Sequence, residues 1–397
     1  MNNNYLVSIV VPTHNRSKYA ISCIESLLEI PSQEVQVVVH DTSNDACDLA
    51  RWAQAQEDHR LVYVHWQSRL SMTENHERAI ALATGEYVCL IGDDDTVSNH
   101  IIEFARYAKD HSIAMLTPKV RAAYYWPDFR TKFYGAAHAG RIYLEHFETT
   151  LTEWDVRERL DNALRHACQG TDAMPKLYHG LVRNELLAGL RQKNGKVFFG
   201  TSPDMSAAVA LSIQPGRYSL VDFPFTMPGG AGGSNSGRSA EGKHKGSLKD
   251  DPHLAPFKGL VWPDFIPQFF SVETVWAHAA WETLENVGND EKARFNFARL
   301  YALCLLHHRD YAQVILGARR AAAQRQFKGV SLLHVGAAFI AVAGQYAWGR
   351  AKRLMKPGAN YGREVVATVE NVRLAKHELD NNLAAKVGTA PVSIKRG

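Results

Sequence analysis

Over its first hundred residues the chain alternates short apolar runs with amphipathic stretches. LVSIVVP (6–12) and VQVVVHD (35–41) are nearly continuous β-branched runs of strand length, the pattern of strands buried on both faces of a parallel sheet. Between them, SKYAISCIESLLEI sets Ala20, Ile21, Ile24, Leu27 and Leu28 at helical spacing, so residues 5–41 predict a β-α-β unit. The alternation continues with DACDLARWAQAQ as helix, LVYVHW as strand, NHERAIALATG as helix and EYVCLIG as strand. It predicts an α/β domain around a mostly parallel sheet flanked by helices.

Beyond residue 110 the pattern is less regular. SIAMLTPKV reads as a strand, AAYYWPDF is rich in tyrosine, YHGLVRNELLAGL reads as turn and helix, and Ser202-Pro203-Asp204 opens a further helix. PGGAGGSNSGRSAEGKHKGS (228–247) has no apolar run and reads as a mobile loop. From about 264 onward nearly everything is helical in pattern. The expected organisation is an α/β domain over 1–227, a flexible loop over 228–250 and a mainly helical domain over 251–397.

A chain of 397 residues exceeds what one core usually holds, which agrees with two domains. Its net charge of +4 permits an anionic partner without requiring nucleic acid, which is not expected as a partner. The first residues show no secretory leader pattern, so a cytoplasmic location is expected. The five cysteines lack CxxC or Cys/His ligand spacing, which points to reduced, mostly buried thiols.

In open α/β sheets ligands sit at the carboxyl ends of the strands. Three polar clusters fall there: PTHNR (12–16), HDTSND (40–45) and GDDD (92–95). Adjacent carboxylates repel, so Asp93, Asp94 and Asp95 need a compensating cation or hydrogen-bond donors. An oxygen-only set suits Mg2+ or Mn2+ together with substrate phosphates. A solvated acidic turn is the plain alternative.

In order and spacing, VSIVVPTHNR, VVVHDTSND and ATGEYVCLIGDDDTV resemble the family 2 glycosyltransferases of GT-A fold over about the first hundred residues. The resemblance implies an inverting, metal-dependent transferase that uses a nucleoside-diphosphate sugar. It places Pro12, Thr13, Asn15 and Arg16 at the nucleotide, with Asp41 at the base as an acceptor for the imide N–H of uracil or thymine, so a UDP-sugar is expected. Asp93 falls to the ribose side, Asp94 to donor and metal, and Asp95 to the metal. Two departures stand out: His40-Asp41 in place of an acidic pair, and Gly92 where many members begin their acid motif. Ser71, Met72 and Asn75 would face the nucleotide, although Ser71-x-x-Glu74 is also an ordinary capping signal.

The same resemblance requires a carboxylate base for the acceptor hydroxyl, and Asp204 in GTSPDMSAAVAL matches its place; the competing role is a first-turn helix acid. The 228–247 loop would close over the diphosphate, with Arg238 and His244 as its contacts, and His179 would face the acceptor.

Residues 311–363 contain no acid but include Arg319, Arg320, Arg325, Lys328, Arg350, Lys352, Arg353 and Lys356 around the apolar stretch 330–348. A helix lying on an anionic membrane and a core or homodimer helix are the two readings of that stretch. The first fits a lipid-diphosphate-linked glycan acceptor in bacterial surface polysaccharide assembly. The rivals are a nucleotidyltransferase, whose glycine-rich first turn PTHNRSKY lacks, and a catalytically silent sugar-nucleotide-binding or membrane-docked scaffold.

Overall fold

The computed structural model describes residues 5–44, 47–171, 174–234, 237, 245–249, 251, 253–354, 363–388 and 395–396. In chain order the first elements are β1 (Val7–Thr13), α1 (Ser17–Leu28), β2 (Val35–Asp41), α2 (Cys47–Gln54), β3 (Leu61–His65), α3 (Met72–Ala81) and β4 (Tyr87–Leu90). They are followed by β5 (Thr96–Val97), α4 (Ile101–Asp110), β6 (Ile113–Pro118), β7 (Ala122–Tyr125), β8 (Arg141–Leu144), β9 (Thr150–Trp154) and α5 (Val156–Arg165). Next come β10 (Leu181–Arg183), α6 (Asn184–Asn194), α7 (Pro203–Ile213) and β11 (Arg217–Val221).

The main sheet has the order 395–396, β9, β11, β6, β10, β4, β1, β2, β3. Every side chain of β1 and β2 is buried, as their continuous apolar runs require, whereas the edge strand β3 is half-buried throughout. The sheet is parallel except where β10 opposes β4 and β6, and where β9 opposes β11. The mostly parallel α/β fold is therefore as expected. The strand β10 was not: within YHGLVRNELLAGL the sequence reads as turn and helix, but Val182 pairs with Val88 on one side and Met115 on the other, and this two-sided pairing draws LVR into the sheet.

Two large cores divide the chain differently from the sequence pattern. The first packs α1, α4 and the sheet, and it takes in Val372, Ala375, Leu379 and Leu383 of the Val372–Val387 helix. That helix ties back to α1 through Arg373 and His377 on Glu29, and residues 364–366 pair with β8. The second core joins α5 and α7 to the helices Val272–Val287, Phe297–His307 and Ala312–Gln324. Both cores therefore draw on residues from either side of 251: α5 and α7 contribute to the helical core, and the final described helix packs with the sheet. Apolar periodicity reports that a helix has a buried face but not which core receives it.

Candidate active site

Because β1 and β2 pair in register from Val7 and Val35 to Thr13 and Asp41, their carboxyl ends lie side by side. Strand β4, on the other side of β1, ends at Leu90 opposite Val10, so the following acids fall beside the β1 turn. This is the crevice where strand order reverses.

Two side chains from the β1 end hold the acids. Thr13 Oγ1 donates to Asp93 Oδ2 at 2.6 Å, and Arg16 Nε donates to Asp93 Oδ1 at 2.7 Å. A second Arg16 nitrogen lies 3.0 Å from Asp94 Oδ2, while the guanidinium covers the Tyr19 ring at 4.4 Å. Burial alone would lower the Arg16 pKa, but the Asp93 and Asp94 charges outweigh it and hold it above its ordinary value.

The remaining walls come from far along the chain. Asp95 Oδ2 accepts from the Gly92 N–H at 2.7 Å and the Tyr178 hydroxyl at 2.6 Å, and lies 3.1 Å from His179 Nε2. Asp95 Oδ1 accepts from the Gly229 N–H at 2.6 Å. Asp94 Oδ2 accepts from the Ala231 N–H at 3.2 Å, and the Asp94 carbonyl accepts from the Trp126 indole at 3.0 Å. Glycine is needed at both close approaches. A Cβ on residue 229 would lie 1.8 Å from the Asp94 carbonyl oxygen, and one on residue 92 would lie 2.7 Å from the Tyr178 hydroxyl. The unusual Gly92 is thus explained by the tyrosine that fills the space beside it.

Three neighbouring carboxylates consequently differ. Burial, only partly offset by Arg16, raises Asp93; burial and the Asp95 charge push Asp94 well above the ordinary carboxylate range. Burial would raise Asp95 too, but His179, the Gly229 N–H and the Tyr178 hydroxyl outweigh it and hold it below that range. A carboxylate has about four lone-pair sites. Gly92, Tyr178 and Gly229 donate to Asp95 and His179 Nε2 lies beside it, so in this arrangement Asp95 anchors the cradle. Asp94 fits a cation better. Arg16 is shared between Asp93 and Asp94, and burial with the Asp95 charge pushes the Asp94 pKa up, so further positive charge beside Asp94 would be favourable. Among the described residues no group of three or more His, Cys, Asp or Glu is placed to hold an ion alone, so a cation here would draw further ligands from substrate phosphates.

Asp204 lies in the first turn of α7, after Pro203 at the helix start. Its side chain is exposed to solvent, although many protein atoms surround it. Loss of hydration among the surrounding protein atoms pushes its pKa up to about 6, with His179 and Lys176 drawing it down and Asp95 pushing it up. These mutual interactions place Asp204 with the acid cradle, more than a hundred residues away in sequence. His179 is buried, adopts φ +65°, and donates its N–H to the Leu90 carbonyl at 2.8 Å. A left-handed backbone is costly for histidine, and here it sets the ring against Asp95.

The residues expected at the nucleotide are mostly engaged in bracing the strand ends. Pro12 is buried in β1; Asn15, exposed at φ +55°, accepts from the Asn44 N–H at 2.9 Å. Asp41 is fully buried: Oδ1 accepts from the Ser43 N–H at 2.8 Å and Oδ2 from the Tyr63 hydroxyl at 2.9 Å. Asn75 Nδ2 donates to the Thr13 carbonyl at 3.1 Å, and its Oδ1 lies 2.7 Å from His40 Nδ1, which joins α3 to β1 and β2. Ser71 and Glu74 form the capping box of α3, so the Ser71 hydroxyl is committed to the helix; Met72 follows, half-buried. Arg238 and His244 lie outside the described residues. The start of the 228–247 segment is no free loop, since Gly229 and Ala231 donate to the acids and residues 226–227 pair with β5. Composition showed a segment without an apolar run; its backbone N–H groups, which any residue carries, hold the acids.

Sequence reasoning missed Tyr178, Trp126, Gly229 and Ala231. The signal for Tyr178 was the missing side chain at Gly92. Nothing in sequence order could bring Trp126 to Asp94.

Comparison with known proteins adds a family. Residues 8–157 match the model described as glycosyl transferase family 2. This segment belongs to glycosyltransferase family 2. The chain is 38% identical over 96 residues to the putative colanic acid biosynthesis glycosyl transferase WcaA of Escherichia coli, covering 24% of this chain and 34% of that protein. It is 29% identical over 103 residues to glycosyltransferase GlyG of Streptococcus pneumoniae, covering 25% and 33%. The chain thus spans about a third of the length of these relatives. A solved structure of Staphylococcus aureus TarS 1–349 with UDP-GlcNAc superposes with a TM-score of 0.43 at 15% identity, over 86% of this chain and 92% of that one. The family segment contains β1 to β9 and every acid of the cradle. Tyr178, Gly229 and Asp204 lie beyond it.

Proposed function

We propose that the protein is an inverting glycosyltransferase that moves a sugar from a nucleoside-diphosphate sugar to a hydroxyl of a glycan or lipid-linked acceptor in bacterial surface polysaccharide synthesis. The observation that carries this reading is that Asp204, exposed at the start of α7, lies within electrostatic reach of Asp95, one of the buried acids of the family segment, and of His179 beside it. In the proposed reaction Asp204 takes the proton of the acceptor hydroxyl as its oxygen bonds to the anomeric carbon, and the bonding pair between that carbon and the diphosphate oxygen leaves with the diphosphate. A carboxylate pushed up to about 6 is ionised at neutral pH and still basic enough to accept that proton.

Asp94 would hold Mg2+ or Mn2+, and such an ion would supply positive charge to the departing diphosphate. Arg16, already set between Asp93 and Asp94, supplies fixed positive charge at the same place. Asp93, supported by Thr13, faces the ribose in this reading, and His179 lines the acceptor side. Asp41 is fully buried and bonded to Ser43 and Tyr63, so it reaches a base only if this packing moves; an acceptor there selects an imide N–H, which puts UDP first among donors to try.

A thermal-shift screen of UDP, GDP, dTDP and CMP with manganese, magnesium or chelator tests the donor half, because a ligand bound to the native state raises the melting temperature. The expected result is metal-dependent stabilisation by one nucleoside diphosphate, lost in Asp94→Ala. Stabilisation by none of them would overturn the reading and favour a scaffold role.

A further inference from the structure

The helix Leu332–Leu354 has 23 residues and is long and apolar enough, by length and composition, to cross a membrane. Only 11% of its most apolar window is buried. One side, through Val335, Ala338 and Val342, packs toward the Phe297–His307 helix, and Arg299 donates to Gln345 at 2.8 Å. The opposite side is open. Leu332, Leu333, Ile340 and Trp348 are 63%, 86%, 75% and 61% exposed, and Ala337 and Gly344 lie between them at the same helical spacing. Large aliphatic and indole groups repeated along an uncovered face are what water-exposed helices avoid.

We propose that this face docks on an anionic lipid bilayer, with the helix lying along the membrane surface. Three observations select that occupant. The chain has no acid from 311 to 363, whereas Lys328 precedes the apolar face and Arg350 and Lys352 follow it, all exposed. Like-charged flanks at both ends disfavour pairing with a second copy in either direction, since no acid in the stretch would neutralise them, while anionic headgroups do so. The carboxyl end also carries interfacial chemistry: Arg350 donates to the Tyr346 hydroxyl at 2.6 Å, and Lys352 lies 5.4 Å from the Trp348 ring. The helix lies flat because its other side is fastened to the helical core, and about 35 Å of length then rests in the headgroup region. The docking is independent of what the acid cradle binds.

Co-sedimentation of the full chain with vesicles tests it, using phosphatidylcholine alone or with about one-third phosphatidylglycerol. Binding to the anionic vesicles alone, weakened by salt and reduced at least about tenfold in the double variant Leu333→Glu/Ile340→Glu, is the expected result. Circular dichroism and the melting temperature of that variant should match the parent, since both side chains are already in water. Absence of vesicle binding, equal binding by the double variant, or a concentration-dependent dimer that this variant dissociates would each overturn the proposal.

Discussion

The acid cradle and the outer face of the Leu332–Leu354 helix are opposite cases of chemistry placed in the wrong solvent. In the first, charged groups are buried: Asp93, Asp94 and Asp95 are 6%, 6% and 2% exposed. In the second, apolar groups are exposed. The cradle is compensated from within by Arg16, Tyr178, His179 and the N–H groups of Gly92, Gly229 and Ala231. Nothing among the described residues covers the helix face. The comparison teaches that a local departure from the usual partition of polar and apolar groups can be closed inside the fold or left for a partner outside it.

Substitutions sharpen that difference. Gly229→Ala is expected to have the largest effect, a loss of about 3 kcal/mol or more in denaturant unfolding, because the new methyl would collide with the Asp94 carbonyl backbone rather than a movable side chain. Tyr178→Phe removes one donor from a fully engaged buried carboxylate and should cost about 1–3 kcal/mol, with Asp95 left short of a partner. A loss near zero would mean that the Tyr178 hydroxyl does not anchor Asp95. Ile340→Glu should change stability by no more than about 0.5 kcal/mol, since the side chain already faces water. A cost comparable with that of Tyr178→Phe would show the helix face to be covered, and the contrast would fail.

The sheet was legible because buried parallel strands advertise themselves as apolar runs, and β1 to β4 with their helices follow the pattern. The acids were legible as a problem of charge. Their solution was not, since Trp126, Tyr178 and Gly229 reach them through tertiary structure, and the two N–H groups from 229 and 231 leave no side-chain trace. Ser71 shows the reverse: its capping signature was visible in sequence and is what the hydroxyl does. The helix at 332–354 was readable as a helix, while its exposure had to come from packing. Likewise, the return of Val372–Val387 to α1 has no signature in its own periodicity.

The role of Asp204 as base is tested most directly by the turnover of Asp204→Asn, measured beside donor binding once the thermal-shift screen has named a donor. The neutral amide keeps the size of the side chain but cannot take a proton. Unchanged donor-induced stabilisation and a rate lowered by about 10²–10⁴ are expected. The parent rate should rise with pH through about 6, as Asp204 ionises, and the variant should lack this rise. Unchanged turnover in Asp204→Asn, with the same acid limb, would contradict the assignment of the base and with it the proposed chemistry of the cleft.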